Sequence, residues 1–278
     1  MRKKYRGTIV PAITPLNADL TLDVAAVERL FLLFREHGVQ PFILGTTGEA
    51  ASLPISLKQE YMRVAGRLKK DGDVLYAGIS SNCLPDSVEA ASFAFDSGVD
   101  VVVATLPSYY TLTEGQMLVY FEQLTLQVKG PLIIYNIPAT THHSIPLYII
   151  DKLSHHPNVV GTKDSERSEE RLMASLKLWS GRSDFSHFLG WAAKSSVALL
   201  GGGDGLVPST ANFAPAVYSD MEKAVERGDA EMVGQLQFLS DDLGDTYQSG
   251  HTLGESLAAL KSIMENEGLC QRYMMPPL

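Results

Sequence analysis

The chain has 278 residues, of which 45% are hydrophobic, and it carries a formal net charge of −9. This length predicts a large buried core, in one big domain or two small ones. The acidic balance argues against nucleic acid or an anionic membrane surface as a partner. Two cysteines, Cys83 and Cys270, lie far apart without metal-type spacing, which argues against a disulfide framework or a zinc site.

The start of the chain, residues 1–6, is basic, but no sustained apolar stretch of the signal-peptide type follows it. No run of the sequence approaches the roughly 18 to 20 apolar residues that a membrane span requires. We therefore expect a soluble, cytoplasmic protein.

Short apolar runs alternate with longer amphipathic segments along the chain. The short runs predict eight strands, at residues 7–13, 41–44, 74–78, 99–104, 132–135, 159–163, 185–189 and 205–207. The segments between them predict helices at residues 24–37, 57–68, 85–96, 114–128 and 169–179. Asp23 and Ser168 are expected N-caps, and capping boxes are expected where Ser56 precedes Gln59 and where Thr113 precedes Gln116.

Eight strand–helix repeats with strongly apolar strands are typical of a closed (β/α)8 barrel. An open doubly wound sheet is the alternative, but no glycine-rich dinucleotide loop follows an early strand and no Walker loop is present. Strand patterns end near residue 224, after which residues 229–244 and 254–266 predict further helices. We therefore predict an α/β fold, with a (β/α)8 TIM barrel over residues 1–224 and a C-terminal helical extension over residues 225–278.

Lys163 ends the apolar run at residues 159–163, and a polar segment follows it at once. A strand that ends in this way presents its last side chain at the edge of the sheet where active sites of α/β barrels form. Burial there removes hydration from the ammonium and favours the free amine, which can attack a carbonyl to form a Schiff base. The alternative is a structural lysine that reaches solvent or pairs with Asp164.

Tyr135 ends the preceding strand run and shares a face with Ile133. If the last residues of both strands face inward, Tyr135 and Lys163 point into the barrel mouth from neighbouring strands about 4.8 Å apart. A phenol beside an amine can carry protons to and from the carbinolamine that precedes an imine, provided that a hydrogen-bonded partner relays them. The alternative is a core aromatic residue whose hydroxyl bonds to a neighbour.

The loop after the second strand reads Gly-Thr-Thr-Gly-Glu, at residues 45–49. Glycines on both sides of Thr46 and Thr47 permit a tight turn that aims amides and hydroxyls at one point, which suits a carboxylate. A threonine hydroxyl can also pass a proton to a tyrosine. Glu49 is interpreted as a residue that braces the loop, and a plain turn is the alternative for the whole segment.

Five motifs occur in an order and spacing that are specific in combination, and they cover essentially the whole chain. They are Gly-Thr-Thr-Gly-Glu at 45–49, Pro-Ser-Tyr-Tyr at 107–110, Tyr-Asn-Ile-Pro at 135–138, Gly-Thr-Lys-Asp at 161–164 and Gly-Asp-Gly at 203–205. In these motifs the chain resembles the dihydrodipicolinate synthase / N-acetylneuraminate lyase superfamily. The resemblance implies a homotetrameric class I aldolase on a (β/α)8 barrel, without a metal or organic cofactor.

The resemblance also implies a role for each matching residue. Lys163 would form the Schiff base with pyruvate or another 2-keto acid, and Tyr135 would relay protons beside it. Thr46 would link Tyr135 to a second tyrosine from a neighbouring subunit, for which Tyr109 fits better than Tyr110. The keto-acid carboxylate would be held by Thr46 and Thr47, and the other substrate contacts would be Thr140, Ser165, Val207 and Ser209.

The acceptor side departs from the true synthases, which carry an arginine shortly after the Tyr-Asn-x-Pro motif to bind the carboxylate of the incoming aldehyde. Residues 139–141 are Ala-Thr-Thr here, and threonine cannot offer the charged, bidentate fork that a carboxylate prefers. This segment instead resembles sialic acid lyases and 2-keto-3-deoxy sugar acid aldolases. Sialic acid lyases carry acidic residues after the glycine of strand 7, whereas Gly190 leads here into Trp-Ala-Ala-Lys.

The sequence therefore predicts a lyase that cleaves a 2-keto acid, with a 2-keto-3-deoxy sugar acid favoured, into pyruvate and an aldehyde. The adjacent His142 and His143 are not predicted to bind a metal, because neighbouring histidines rarely face one point and no carboxylate joins them. Two alternatives stay open. One is another enzyme of the superfamily, either a 4-hydroxy-tetrahydrodipicolinate synthase or a dehydratase, and the other is a barrel that only binds a metabolite.

Overall fold

The structure is a computed structural model that describes residues 3–278. Its centre is one sheet of eight parallel strands that neighbour one another in chain order. The strands are β1 (Ile9–Pro11), β2 (Gln40–Ile43), β3 (Tyr76–Gly78), β4 (Val101–Thr105), β5 (Leu132–Asn136), β6 (Val159–Asp164), β7 (Ser186–Leu189) and β8 (Gly205–Leu206). With helices between successive strands and further helices after β8, the fold is the predicted (β/α)8 barrel with appended C-terminal helices.

Hydrogen bonds around β8 and β1 hold the two ends of the sheet together. The Gly7 N–H donates to the Asp204 carbonyl oxygen over 2.8 Å. Asn212, which follows β8, accepts from the Ile13 N–H at 3.0 Å and donates to the Pro11 carbonyl oxygen at 2.9 Å. One buried amide side chain thus joins the segment after β8 to β1.

Side chains fill the inside of the barrel, so it is a packed core and not a pore. They come from alternate positions of the strands and include Ile9, Phe42, Tyr76, Val101, Val103, Ile133, Tyr135, Phe188 and Val207. A second, larger apolar core lies between the strands and the surrounding helices. The space that remains for a ligand lies at the carboxyl ends of the strands.

Within residues 3–278, eight α-helices lie between or beside the strands, and three follow them. The first eight are α1 (Val24–Glu36), α2 (Ile55–Leu68), α3 (Leu84–Asp96), α4 (Glu114–Gln127), α5 (Pro138–Thr141), α6 (Leu147–Leu153), α7 (Glu169–Trp179) and α8 (Ser195–Leu200). The last three are α9 (Pro215–Arg227), α10 (Ala230–Gln248) and α11 (Leu253–Asn266). The division of the chain near residue 224 stays a prediction.

Three of the predicted helix starts are confirmed. Asp23 and Ser168 cap α1 and α7 through their side chains, and Thr113 forms the expected capping box with Gln116. These signals lie within four residues of the helix start, so local sequence is enough to predict them.

The predicted capping box at Ser56 and Gln59 is wrong. Helix α2 begins at Ile55 with Pro54 as its N-cap and without a side-chain cap. The Pro54 carbonyl oxygen accepts from the N–H groups of the third and fourth residues after it, which places Ser56 inside the first turn. A hydroxyl in that position cannot cap the helix.

No helix in residues 3–278 is long and apolar enough to cross a membrane. The first two residues of the basic start, Met1 and Arg2, lie outside the described residues. The cytoplasmic location stays a prediction.

Candidate active site

Lys163 lies near the carboxyl end of β6, where the register pairs it with Tyr135 of β5 and Phe188 of β7. Its side chain is only 5% exposed. The Nζ atom lies 3.9 Å from the centroid of the Tyr135 ring and 5.0 Å from that of Phe42. The amine therefore lies inside the barrel against two aromatic faces, as the strand alternation predicts for a residue that faces inward.

Asp164, the next residue, faces outward and does not pair with Lys163. Its carboxylate accepts hydrogen bonds from Arg171 Nε at 2.6 Å, from Asn136 Nδ2 at 3.1 Å and from the Glu166 N–H at 2.9 Å. Burial raises the pKa of Asp164, while the Arg171 charge opposes the shift. The ion pair with Asp164 that the sequence left open for Lys163 is therefore excluded.

A polar layer between β5, β6 and helix α7 fixes the outer side of this strand end. Asn136 also donates to Glu166 Oε2 at 3.0 Å, and the same carboxylate oxygen accepts from Ser144 Oγ at 2.6 Å. Arg171 lies 3.5 Å from that oxygen. The contacts of Asn136, Ser144 and Arg171 are not predicted from the sequence, because their partners come from three separate segments.

Tyr135 is buried, and its hydroxyl accepts a long hydrogen bond of 3.4 Å from Ser165 Oγ. The Ser165 N–H donates to the Asn136 carbonyl oxygen at 2.9 Å, so the turn after β6 is tied to the end of β5. The structure thus brings together Tyr135, Ser165 and Lys163 from two adjacent strands. This is a phenol, a hydroxyl and an amine at one place.

The loop after β2 is a tight turn at the barrel mouth. The Thr14 hydroxyl donates to the Gly48 carbonyl oxygen at 2.6 Å. A Cβ added to Gly48 would lie only 2.9 Å from the carbonyl oxygen of Ala12, the residue that follows β1, so the turn has no room for a side chain there. Thr47 is buried, while Thr46 is half-buried and lines the main cavity. Among the described residues, neither threonine side chain forms a hydrogen bond with Tyr135.

The main cavity has a volume of about 630 Å³ and opens at the carboxyl ends of the strands. Thr46, Tyr135 and Thr140 line it, whereas Lys163 and Val207 line a much smaller space of about 10 Å³ inside the barrel. The larger volume is in the range of small-molecule sites. Its outer wall contains charged residues of α2 and α3, namely Lys58, Asp86 and Glu89.

Tyr109 and Tyr110 do not line this cavity and point into solvent in the single chain. They are 78% and 73% exposed, and their rings meet edge to face at 5.0 Å. Their loop is held by Asn82, whose Oδ1 accepts from the N–H groups of Ser108 and Tyr109 at 2.8 and 3.2 Å. Within one chain, neither tyrosine reaches Thr46 or Tyr135.

His143 is buried and braces the same loop. Its Nε2 lies 3.0 Å from the Tyr110 carbonyl oxygen and 3.3 Å from the Leu112 amide nitrogen. No group of three or more potential metal ligands occurs in the described residues. The two adjacent histidines therefore have different surroundings. His142 is exposed to solvent, whereas His143 is buried and supports the loop that carries Tyr109 and Tyr110.

Ser209 lies in the turn after β8 and is held by the C-terminal helices. Its hydroxyl lies 2.7 Å from the Tyr247 hydroxyl, which also contacts Thr210 at 3.0 Å and accepts from Gln248 at 2.9 Å. Tyr247 belongs to α10 and is buried. The sequence had no signal for this contact, because it joins residues almost forty positions apart along the chain.

The chain matches the dihydrodipicolinate synthetase family over residues 4–278. A protein of Pyrococcus abyssi named as an uncharacterised DapA-like lyase is 30% identical over 273 residues, which are 98% of this chain and 91% of that protein. A 4-hydroxy-tetrahydrodipicolinate synthase of Pseudomonas savastanoi pv. phaseolicola is 32% identical over 231 residues, which are 81% of this chain and 77% of that protein.

Solved structures agree with this match. Dihydrodipicolinate synthase from Bacteroides thetaiotaomicron is 30% identical with a TM-score of 0.94, covering 100% of this chain and 94% of that one. YagE from E. coli K12, solved in complex with pyruvate, is 25% identical with a TM-score of 0.93, covering 99% and 93%. The chain therefore belongs to the dihydrodipicolinate synthetase family and is a lyase of the class I aldolase type.

Proposed function

We propose that this protein reversibly cleaves a 2-keto acid, of the 2-keto-3-deoxy sugar acid type, into pyruvate and an aldehyde through a Schiff base at Lys163. The observation that carries the proposal is the buried Lys163 amine, which lies against the Tyr135 ring without a carboxylate partner among the described residues. A desolvated amine is a good nucleophile towards a carbonyl carbon. The pyruvate complex of one relative supports a keto acid as the ligand.

In the proposed reaction, the Lys163 amine attacks C2 of the substrate, and the carbinolamine loses water to give an iminium. Tyr135 carries the protons for this step, with the Ser165 hydroxyl at 3.4 Å as its hydrogen-bonded neighbour. Thr46 and Thr47 hold the carboxylate of the substrate at the mouth of the barrel. No metal or organic cofactor takes part in this scheme.

The iminium then acts as the electron sink for cleavage. The C4 hydroxyl gives up its proton through the Tyr135 relay, the C3–C4 bond breaks, and its electron pair passes to the nitrogen to form an enamine. The aldehyde leaves, C3 takes up a proton, and water hydrolyses the new imine to pyruvate and free Lys163. Condensation follows the same steps in reverse.

The acceptor side of the cavity supports a neutral, hydroxylated aldehyde. Thr140 lines the cavity and offers a hydroxyl where the synthases carry an arginine. On the outer wall, Asp86 and Glu89 outnumber Lys58, so the field there does not favour an anionic aldehyde. We also assign the Ser165 and Ser209 hydroxyls, which lie beside the Tyr135 and Tyr247 hydroxyls and not in the wall of this cavity, to the hydroxyls of the aldehyde.

A 4-hydroxy-tetrahydrodipicolinate synthase is the second candidate, because relatives at 30–32% identity bear that name or the related name dihydrodipicolinate synthase. Without the arginine, one charge-assisted hydrogen bond to aspartate semialdehyde is missing. Such a bond contributes roughly 1.5 to 3 kcal/mol, or about ten- to 150-fold in transition-state binding. We therefore expect a lower kcat/KM for aspartate semialdehyde than for neutral sugar-derived aldehydes.

The test is a panel of 2-keto acids assayed for pyruvate release, with the aldehydes assayed in the condensation direction. Release of pyruvate from 2-keto-3-deoxy sugar acids supports the proposal. Water elimination without pyruvate would identify a dehydratase, and a kcat/KM for aspartate semialdehyde above all sugar-derived aldehydes would identify the synthase. Binding of keto acids without any turnover would identify a metabolite-binding barrel.

A further inference from the structure

A fully buried ion pair joins the loop that presents Thr46 and Thr47 to the last helix of the chain. Glu49 closes that loop, Lys261 lies on α11, and both side chains are 0% exposed. Burying two charges costs hydration free energy, which an ion pair only partly recovers. An apolar pair of the same volume would give comparable stability, so stability alone does not account for charges at this place.

The pair also holds the segment that follows α11. Lys261 Nζ donates to the Tyr273 carbonyl oxygen at 2.7 Å, and the Met275 N–H donates to Glu49 Oε2 at 2.8 Å. Each charge therefore has a backbone partner as well as the opposite charge. Directional bonds of this kind specify one position of the Glu49 side chain, whereas apolar contacts between two hydrophobic side chains would permit several positions.

Glu49 transmits that position to the threonines through its backbone. Its φ is +56°, a left-handed conformation that is uncommon for a residue with a side chain and persists only where surrounding contacts hold it. The Glu49 N–H donates to the Thr46 carbonyl oxygen at 3.1 Å, and the Glu49 carbonyl oxygen accepts from the Ser52 N–H at 2.8 Å. A movement of Glu49 would therefore change the direction of Thr46 and Thr47.

We propose that Lys261 is a positioning residue of the active site, which acts through Glu49 to orient Thr46 and Thr47 towards the carboxylate of the keto acid. The C-terminal helix α11 thereby sets the affinity of a site that lies on the barrel. The inference rests on the proposed function, in which these threonines bind the carboxylate. The competing explanation is that the ion pair only anchors the end of the chain.

Two variants test the role of the pair. Lys261→Met leaves the Glu49 charge buried without its partner, so it destabilises the fold strongly. The double variant Glu49→Gln/Lys261→Met buries no charge and still offers an oxygen to the Met275 N–H, so it is the variant on which the result depends. Lys3→Met is the matched control, because Lys3 also forms a largely buried pair, with Asp204 at 2.8 Å, away from the cavity.

The measurement is the pyruvate concentration that half-saturates borohydride trapping of the imine, together with the trapping rate at saturation. Misplaced carboxylate contacts raise the half-saturating concentration in the double variant by about tenfold or more, and the maximal rate falls as well because Thr46 also belongs to the proposed proton relay. Lys3→Met lowers the melting temperature but leaves half-saturation within about twofold of the wild-type value.

Each outcome decides between the proposals. A folded double variant with wild-type half-saturation, or a control that shifts half-saturation equally, overturns the role of Lys261 and leaves the proposed function standing. A wild-type protein that traps no pyruvate overturns the proposed function itself, and the role of Lys261 with it. A selective rise in the double variant supports both.

Discussion

At the scale of single residues, the alternation of β6 separates two kinds of chemistry on adjacent positions. Lys163 faces the barrel interior, where aromatic faces surround its amine. Asp164 faces outward and is held by Arg171 and Asn136. Because charge-assisted hydrogen bonds fix Asp164 on the outer face of β6, they also fix the backbone next to Lys163.

The first prediction concerns the amine itself. Borohydride reduction with pyruvate should add one pyruvate-derived mass per chain, located at Lys163 by peptide mapping. Lys163→Arg should remain folded but lose both the added mass and nearly all turnover, since a guanidinium stays protonated. Lys70→Arg, at an exposed lysine, is the control and should behave as the wild type. A label at another lysine would contradict the mechanism.

The second prediction concerns His187, a buried residue whose ring nitrogens have no hydrogen-bond partner in the described residues. Burial lowers its pKa to about 4, and the charges of Arg171 and Lys3 add to the shift. The unfolded chain binds this proton at about pH 6.5, so the stabilisation is complete above that pH and is lost as pH falls towards 4. We expect the free energy of unfolding to fall by about 2 kcal/mol from this residue between pH 7 and 5.

The measurement for His187 is urea unfolding at both pH values. His187→Leu removes the titrating ring, so its loss of stability between pH 7 and 5 should be smaller than that of the wild type by about 2 kcal/mol. His155→Gln, at an exposed histidine, should keep the wild-type dependence. An unchanged dependence in His187→Leu would show that other groups are responsible.

At the scale of elements, the C-terminal helices support the barrel mouth from two sides. Helix α11 reaches the loop after β2 through Lys261, and α10 reaches the turn after β8 through Tyr247. The two contacts lie at different parts of the proposed substrate site, the first at the carboxylate end and the second at the acceptor end. They therefore predict different kinetic effects.

The third prediction follows from the second contact. Tyr247→Phe removes the hydroxyl that Ser209 and Thr210 share, at a cost of about 1 kcal/mol in stability. We expect the KM for the complete keto acid to rise about threefold to tenfold, with half-saturation by pyruvate unchanged. Tyr120→Phe, which removes a buried phenol hydroxyl on α4 away from the site, is the matched control. Equal effects of both variants would argue against an acceptor role for Ser209.

At the scale of the whole molecule, Tyr109 and Tyr110 form an exposed aromatic pair on the single chain. Two large aromatic residues beside the cavity would gain from burial against a twofold-related copy. We propose a homotetramer in which Tyr109 of one subunit completes the relay of Thr46 and Tyr135 in another. The alternative is that both rings cover their own barrel, but in the described chain they point away from it.

The fourth prediction tests this assembly. Tyr109→Phe should fold and still capture pyruvate, but more slowly, because phenylalanine lacks the hydroxyl that would carry protons. Mixed with Lys163→Arg subunits, it should regain activity when hybrids form, since some sites then receive both intact residues. Native mass spectrometry verifies the hybrids. No recovery in verified hybrids would mean that Tyr109 does not act across the interface.

The sequence by itself determined the features whose signals are local. The strand runs, the caps of α1, α4 and α7 and the inward direction of Tyr135 and Lys163 depend on residues within a few positions of each other, and they agree with the structure. The helices α5, α6 and α8 were not predicted because they are too short for a periodic pattern, and α9 was not predicted because its start has no side-chain cap.

Only the tertiary structure decided which polar residues meet across the chain. The Asn212 side chain hydrogen-bonds to the backbone at the end of β1, and the Tyr247 hydroxyl hydrogen-bonds to Ser209. Lys261 forms an ion pair with Glu49. In each case the partner is distant in sequence. Side chains such as these carry no local pattern, because their partners are chosen by the closure of the barrel and the docking of the last helices. A buried polar group must find a partner wherever the fold provides one, and that place is defined only after the chain has folded.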